Sequence, residues 1–192
     1  MEAFESFVAL ALEDEGLVVS ESVKFPVRLP TRRRDYAQDQ THGYEVDLVG
    51  ACAERLVLAS VKSFLGSDGV AAAHVMAETA NETLRRRYSL LNRPEVRGPV
   101  VRAAARRYGY RTSQVELRLY VGRFATSADE EKVRAWARSQ RVGAGSIAVH
   151  GLADVVGVVR RMAASRTYRD NPVLVTMKVL EAAGMLCEPR GA

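Results

Sequence analysis

Two short segments whose apolar residues alternate with polar ones, residues 44–50 and 55–64, constrain the fold of this chain more than any other feature. Alternation with a period of two is typical of β-strands. Only residues 51–54 separate the segments, and a link this short joins strands that run antiparallel. The sequence therefore predicts a β-hairpin, around which the other elements must be arranged.

The rest of the chain supplies helices and further strands in a readable order. Apolar residues on one helical face, followed by Gly16, predict a first helix over residues 3–15. A polar segment over residues 31–43 predicts a long loop, and loops of this length are often functional. Gly98-Pro99 is expected to interrupt one helix. The other predicted elements are strands over 17–27, 115–124 and 147–150 and helices over 70–90, 94–108, 127–141, 152–164 and 172–183.

This order, α-β-β-β-α-β-α-β with two closing helices, is typical of the α/β class, with a mixed central sheet flanked by helices. The chain has 192 residues, which fits one domain. We expect a core over about residues 1–150 and a C-terminal helical elaboration over about residues 151–192.

Composition excludes several function classes. No apolar run approaches the roughly 20 residues that span a bilayer, so no membrane partner is expected. Glu2, Glu5 and Glu13 stand among the first apolar residues, which is unlike a signal peptide. Cys52 and Cys187 are far apart and lack metal-ligand spacing, so two reduced thiols are expected, with one disulfide as the alternative. The predicted location is the cytoplasm.

Charge indicates a nucleic-acid partner. The net charge is +5, and much of the positive charge comes from clustered arginines. Guanidinium groups suit bidentate contacts with phosphate, and such contacts supply most non-specific affinity for nucleic acid. An arginine-rich composition alone would give the same pattern. The candidate nucleic-acid-binding residues are Arg32, Arg33, Arg34, Arg85, Arg86 and Arg87.

The predicted hairpin resembles the catalytic hairpin of the PD-(D/E)XK nuclease superfamily. Asp47 lies in its first strand, and Ser60 and Lys62 lie two residues apart in its second strand. Period-two alternation places Ser60 and Lys62 on one face, beside Asp47 across the hairpin. By motif the resemblance covers about residues 1–65, and by order of elements it extends to about residue 150.

The resemblance implies a restriction endonuclease-like core and a metal-dependent active site. Phosphodiester hydrolysis needs a divalent cation, and Mg²⁺ (or Mn²⁺) prefers carboxylate oxygens. Asp47 would bind the metal, and Lys62 would orient water or stabilise developing negative charge. In the first helix of archaeal Holliday junction resolvases, a glutamate precedes the glycine that ends the helix. The interval from Glu5 to Gly16 resembles that spacing. Glu5 is therefore a further candidate metal ligand, or else an ordinary first-turn acid, whereas Glu2 is expected to point outward.

Ser60 departs from the family pattern, which has an acidic residue at that position. A hydroxyl is a poorer ligand for magnesium than a carboxylate, so two explanations remain open: either the site is no longer catalytic, or the carboxylate has moved. A subgroup of type II restriction endonucleases has Ser-x-Lys and supplies the glutamate from the following helix. Glu78 and Glu82 would share a face of the helix predicted over 70–90, and Glu78 is the candidate catalytic and metal-binding residue. Their face also suits simple solvation.

The sequence thus predicts a magnesium-dependent endonuclease that hydrolyses DNA, of restriction or repair type. The resemblance also implies a homodimer, because cutting two strands needs two sites. The main alternative is a catalytically eroded nuclease-fold protein that binds DNA or serves as an accessory subunit. A third candidate is a protein-binding factor that uses its basic surface for acidic partners.

Overall fold

A computed structural model describes residues 2–29, 40–165 and 169–186 of the chain. Its strands are β1 Val18–Leu29, β2 Gln40–Ala51, β3 Leu56–Lys62, β4 Val115–Val121 and β5 Ala148–Gly151. Its helices are α1 Ala3–Asp14, α2 Ala72–Val75, α3 Glu82–Arg86, α4 Ser89–Asn92, α5 Pro94–Tyr108, α6 Ser127–Ser139, α7 Leu152–Ala164 and α8 Pro172–Ala182. Thr112–Gln114 forms a short 3-10 helix before β4.

The strands form one mixed sheet in the order β1-β2-β3-β4-β5. The pairs β1–β2 and β2–β3 are antiparallel, and the pairs β3–β4 and β4–β5 are parallel. The predicted α/β class, with a mixed sheet flanked by helices, is confirmed. The carboxyl ends of β3, β4 and β5 therefore meet at one edge of the sheet.

Helices cover both faces of the sheet, and each face has its own apolar core. On one face, strand residues such as Leu58 and Leu119 pack against α5 and α6. On the other face, Ala59 and Tyr120 pack against α1 and α7. The helix α8 packs against α7 and α1 rather than against the sheet, through Leu174 and its neighbours. The alternation of strand residues between two apolar layers is what the sheet's period of two requires.

The single helix predicted over residues 70–90 is wrong, because this stretch forms the three short helices α2, α3 and α4. Ala77 has a positive φ of 63°, which ends the helical path after α2. Asn81 then starts a new helix, since its side chain accepts the backbone N–H of Leu84. The apolar spacing of this stretch resembles a helix, but its local caps divide it.

Two further boundaries differ from the sequence expectation. The helix α5 runs without a break through Gly98 and Pro99. A proline inside a helix costs about 3 kcal/mol, and here the residues that follow, including Val100 and Ala104, are buried against the sheet and offset that cost. The strand β2 begins at Gln40, so residues 40–43 of the predicted loop belong to a strand, and residues 31–39 lie outside the described residues.

Some predictions fall outside the described residues. Arg32, Arg33 and Arg34 belong to the stretch between Leu29 and Gln40, and Cys187 follows the last described residue. Cys52 is a free thiol. Within the described ranges, no helix has both the length and the apolar character needed to cross a bilayer.

Candidate active site

Asp47 lies in β2 where the hydrogen-bonded pairing of the sheet is interrupted on both sides. Toward β1, the residue that would face it, Ser22, is left out of the pairing and has a positive φ of 48°. Toward β3, the last pair is Leu48 with Ala59, so Asp47 lies just beyond the end of that ladder. Its carboxylate takes the place of a ladder acceptor, because Oδ2 accepts the backbone N–H of Val61 at 2.6 Å.

The side chains of Ser60 and Lys62 converge on the same oxygen. Ser60 Oγ and Lys62 Nζ each donate to Asp47 Oδ2 at 3.3 Å. The expected meeting of Asp47 and Lys62 is confirmed as geometry, while their chemical roles stay predictions. The Asp47 side chain is 25% exposed and that of Lys62 is 17% exposed, so a ligand can reach the pair.

Both members of this pair keep hydrogen-bonding capacity that the described residues do not use. Lys62 Nζ has one further acceptor, the carbonyl of Val61 at 3.0 Å, which leaves one of its three N–H groups. The three donors to Asp47 all meet Oδ2, and no donor from the described part of the chain reaches Oδ1. The pair can therefore accept a cation at Oδ1 and donate a hydrogen bond to an anion from Nζ.

Ser60 is buried and acts here as a hydrogen-bond donor. It continues the face of β3 that carries Leu56 and Leu58, on the side of the sheet that α5 covers. Its hydroxyl orients the Asp47 carboxylate rather than adding a second carboxylate. With serine at position 60, Asp47 is the acidic group of this cluster of three residues.

Lys62 also lines a cleft of about 700 Å³ between the end of β3 and the start of α1. Ser63 Oγ donates to Glu2 Oε2 at 2.8 Å across this cleft, which ties the two elements together. Glu2 is exposed, as expected, and lies at the mouth of this cleft.

Glu5 has a structural partner at the helix start. Its Oε2 accepts the backbone N–H of Glu2 at 3.0 Å, which satisfies one of the free donors at the N-terminus of α1. A role for Glu5 as a metal ligand stays a prediction.

Glu78 lies in the connection between α2 and α3, where its side chain is exposed. Glu78 and Glu82 do not share a helical face as predicted, because Glu82 begins a separate helix. Across residues 2–29, 40–165 and 169–186, no group of three His, Cys, Asp or Glu side chains is arranged to hold a metal ion. Catalytic and metal-binding roles for Glu78 stay predictions.

The second predicted arginine cluster lies on and just after α3. Arg85 and Arg86 line a cleft of about 280 Å³ that also contains Glu82 and Glu95. Arg87 is exposed at the end of the helix. These arginines share their surface with carboxylates, so the cluster is less basic than its sequence indicates.

A second cluster of charged groups lies on the opposite face of the sheet and was missed by sequence reasoning. Arg118, in β4, is buried and donates to both carboxylate oxygens of Glu15, at 2.7 and 3.0 Å. It also donates to Glu116 at 2.7 Å and to the Tyr120 hydroxyl at 3.3 Å. The Tyr120 ring stacks on His150, with ring centroids 4.8 Å apart. We call these five residues the Arg118 cluster.

Electrostatics show that the Arg118 cluster satisfies its own charges. Burial would lower the pKa of Arg118, but its hydrogen bonds with Glu15, Tyr120 and Glu116 outweigh burial and raise that pKa. Burial opposes ionisation of Glu15, yet the bond from Arg118 lowers the pKa of that carboxyl. Burial, and then the charge of Arg118, lowers the pKa of His150. The cluster fastens the end of α1 to β4.

No family model, curated protein or solved structure matches this chain. Its fold and site define an α/β protein with a mixed five-stranded sheet and an Asp–Ser–Lys cluster on the hairpin formed by β2 and β3.

Proposed function

We propose that this chain is a metal-dependent DNA endonuclease with a restriction endonuclease-like core of the PD-(D/E)XK type. The observation that carries the proposal is the meeting of Asp47 and Lys62 at 3.3 Å beyond the end of the β2–β3 ladder. An accessible carboxylate beside an ammonium group is what phosphodiester hydrolysis with one bound cation requires.

The topology supports the same proposal. The order α1-β1-β2-β3, followed by helices and a parallel β4, matches the element order that the resemblance implies. The two candidate residues lie on the antiparallel pair at the centre of that order. We extend the proposal to a single nuclease-like domain over residues 1–192 that acts as a homodimer in the cytoplasm.

The donor set fits a cation that the protein shares with its substrate. Mg²⁺ is usually bound through one or two carboxylates together with waters and substrate phosphates, so a cage of protein ligands is not needed. Asp47 would hold Mg²⁺ or Mn²⁺ through Oδ1, and Glu5 and Glu78 are proposed as further ligands. The bound ion would supply charge neutralisation at the phosphate and a hydroxide near neutral pH.

The other residues of the cluster position and polarise the substrate. Lys62 would donate its remaining N–H to the attacking water or to a phosphate oxygen on which negative charge develops. Ser60 and the Val61 N–H fix the orientation of the Asp47 carboxylate by donating hydrogen bonds to Oδ2. Because the carboxylate is planar and rigid, the same bonds also fix the direction in which Oδ1 points. Preorganisation of this kind lowers the cost of reaching the transition state.

A nicking assay tests the proposal. Supercoiled plasmid is incubated with the protein and Mg²⁺ or Mn²⁺, and in parallel with EDTA. The wild type should nick the plasmid only with metal, and Asp47→Asn should fall to background. The matched control is Glu45→Gln, which removes an acid two residues away on β2 that pairs with Lys24 at the surface. Equal nicking by Asp47→Asn and Glu45→Gln would contradict the proposal.

A second candidate is a nuclease-fold protein that binds DNA without cutting it. The specific observation in its favour is that Ser60 gives the cluster a hydroxyl where a second carboxylate would bind metal. In that case the wild type should bind DNA and never nick it with either metal. Ser60→Glu, which restores the carboxylate next to Asp47, should then introduce weak metal-dependent nicking.

A further inference from the structure

We call Asp47, Ser60 and Lys62 the Asp47 cluster. A basic groove lies away from this cluster, between the far end of the β1–β2 pair and α5. Its volume is about 540 Å³. The residues that line it include two prolines, one threonine and three arginines: Pro26, Pro99, Thr41, Arg28, Arg102 and Arg106. We call it the α5 groove. None of the arginines considered above for nucleic-acid binding belongs to it.

The three arginines of the α5 groove are exposed, and toward the described residues they have no carboxylate partner. Helix α5 contains one acid, Glu95, and that acid pairs with Arg93 at 2.8 Å. Arg102 and Arg106 are four residues apart, and like charges at this spacing repel one another on a helix. An anion bound between them would remove that repulsion.

The neighbouring Arg107 shows the contrast, because its side chain is used inside the fold. Its Nη1 donates to the carbonyl of Lys24 at 3.1 Å, and its guanidinium lies over the Phe25 ring at 5.8 Å. This contact fastens α5 to β1 and fixes the two walls of the groove. Arg102 and Arg106 therefore extend from a fixed helix, and no carboxylate in residues 2–29, 40–165 or 169–186 forms an ion pair with them.

We propose that the α5 groove binds the sugar–phosphate backbone of duplex DNA. The Cα atoms of Arg102 and Arg106 lie about 6 Å apart along the helix axis, from a rise of about 1.5 Å per residue. Phosphates of one strand recur about every 3.4 Å along the duplex axis, so two arginine side chains at this spacing can contact phosphates of the same strand. Arg28 faces the groove from the hairpin and contributes a third cation. Planar guanidinium groups bind phosphate bidentately.

This inference rests on the proposed function, since the groove would hold the DNA that the Asp47 cluster cuts. Ser22, which faces Asp47, lies six residues before Arg28 in β1, or about 20 Å along the strand. A duplex that reaches both places must therefore span about six base pairs at about 3.4 Å each. The groove would position the substrate without touching the reacting phosphate.

The test measures DNA binding without cleavage. Fluorescence anisotropy follows a labelled duplex of about 20 base pairs in EDTA at several salt concentrations. The variant is Arg102→Gln with Arg106→Gln. Its matched control is Arg138→Gln with Arg161→Gln, which removes the same charge from exposed positions on α6 and α7. Thermal melting followed by circular dichroism verifies that both double variants are folded.

The groove variant should bind the duplex at least about tenfold more weakly at 0.1 M salt, and its salt slope should fall by about 1.8, at about 0.9 per lost phosphate contact. The control should change affinity less than about twofold. Equal weakening in both double variants, or no DNA binding by the wild type, would overturn the inference. Competition by poly-glutamate as effective as by unlabelled duplex at equal charge would also overturn it.

The result separates the groove from the nuclease proposal. If the groove variant loses DNA binding while the wild type never nicks plasmid, the groove inference stands and the nuclease proposal fails. If the wild type nicks plasmid in an Asp47-dependent way while its DNA binding ignores Arg102 and Arg106, only the groove inference fails.

Discussion

The Asp47 cluster and the Arg118 cluster both pair acidic and basic side chains, and they lie on opposite faces of the sheet. They differ in how fully their charged groups are hydrogen-bonded and in how exposed those groups are. Arg118 is bound on both sides by carboxylates, with separations from donor to acceptor as short as 2.7 Å, and its side chain is 7% exposed. Asp47 meets Lys62 once, at 3.3 Å, and both side chains are more exposed. The charged groups of the Arg118 cluster are hydrogen-bonded to one another, although the buried Nε2 of its His150 has no partner among the described residues. The Asp47–Lys62 pair, in contrast, retains a free acceptor at Oδ1 and a free N–H at Nζ.

This difference separates a structural role from a chemical one. Removing one partner of a buried ion pair is strongly destabilising, because it leaves the other charge buried and uncompensated. A partly exposed pair contributes little stability. Its free donor and acceptor positions are suited to binding a ligand. Changes to the Arg118 cluster should therefore alter stability, and changes to the Asp47 cluster should alter activity.

The largest expected effect is on activity in Lys62→Met. Loss of the ammonium removes a donor aimed at the developing charge, which costs about 10²–10³-fold in the rate of cleavage. Plasmid nicking under single-turnover conditions measures the rate. The matched control is Lys24→Met, an exposed lysine that also pairs with an acid on β2, and its rate should be unchanged. A similar rate in both variants would remove Lys62 from the chemistry.

The next effect is on stability in Arg118→Met. Removal of this guanidinium leaves Arg55, at 2.8 Å from Glu15 and 3.9 Å from Glu116, as the remaining cation of both acids. The cost should therefore be about 2 kcal/mol after allowance for the partial exposure of both acids. Urea unfolding measures the free energy. In comparison, Arg93→Met breaks an exposed pair with Glu95 and should cost less than about 1 kcal/mol. Equal losses would show that the Arg118 cluster is no more structural than a surface pair.

A smaller effect is the pH dependence of stability that His150 contributes. Its folded-state pKa is lowered below 6.5, mainly by burial and then by Arg118, so below pH 6.5 the unfolded chain binds a proton that the folded chain does not. Stability from this group is therefore present above pH 6.5 and decreases as pH falls through the lowered pKa.

Urea unfolding between pH 5 and pH 8, about the ordinary pKa of histidine, tests this dependence. The comparison variant is His150→Phe, which retains an aromatic ring against Tyr120. The decrease in stability below pH 6.5 should be smaller in His150→Phe than in the wild type. Identical pH profiles would show that His150 does not contribute.

The smallest effect is expected for Ser60→Ala. It removes one hydrogen bond to Asp47 at 3.3 Å, and the Val61 N–H still holds the carboxylate, so the cost should be about 0.5–1.5 kcal/mol. Urea unfolding measures it. A loss above about 3 kcal/mol would mean that the Asp47 cluster is as structural as the Arg118 cluster.

The alternation of residues along the chain predicted the part of the site that lies within the β2–β3 hairpin. The short link between β2 and β3 and the period of two fix which residues face one another, so the meeting of Asp47 and Lys62 was legible in the sequence. The Arg118 cluster was not, because Glu15 and Arg118 are 103 positions apart and nothing local pairs them. The misplacement of Glu78 has a local cause, since the positive φ of Ala77 ends a helix that apolar spacing alone would continue.

We propose that the Asp47 cluster, unlike the Arg118 cluster, binds a cation together with DNA. The most direct test is an electron paramagnetic resonance titration of Mn²⁺ in the presence of duplex DNA. It compares Lys62→Met, which keeps the Asp47 carboxylate and is expected to cut about 10²–10³-fold more slowly, with the double variant Asp47→Asn/Lys62→Met. We expect the double variant to bind Mn²⁺ about tenfold or more weakly. Equal Mn²⁺ affinity in the two proteins would contradict the claim.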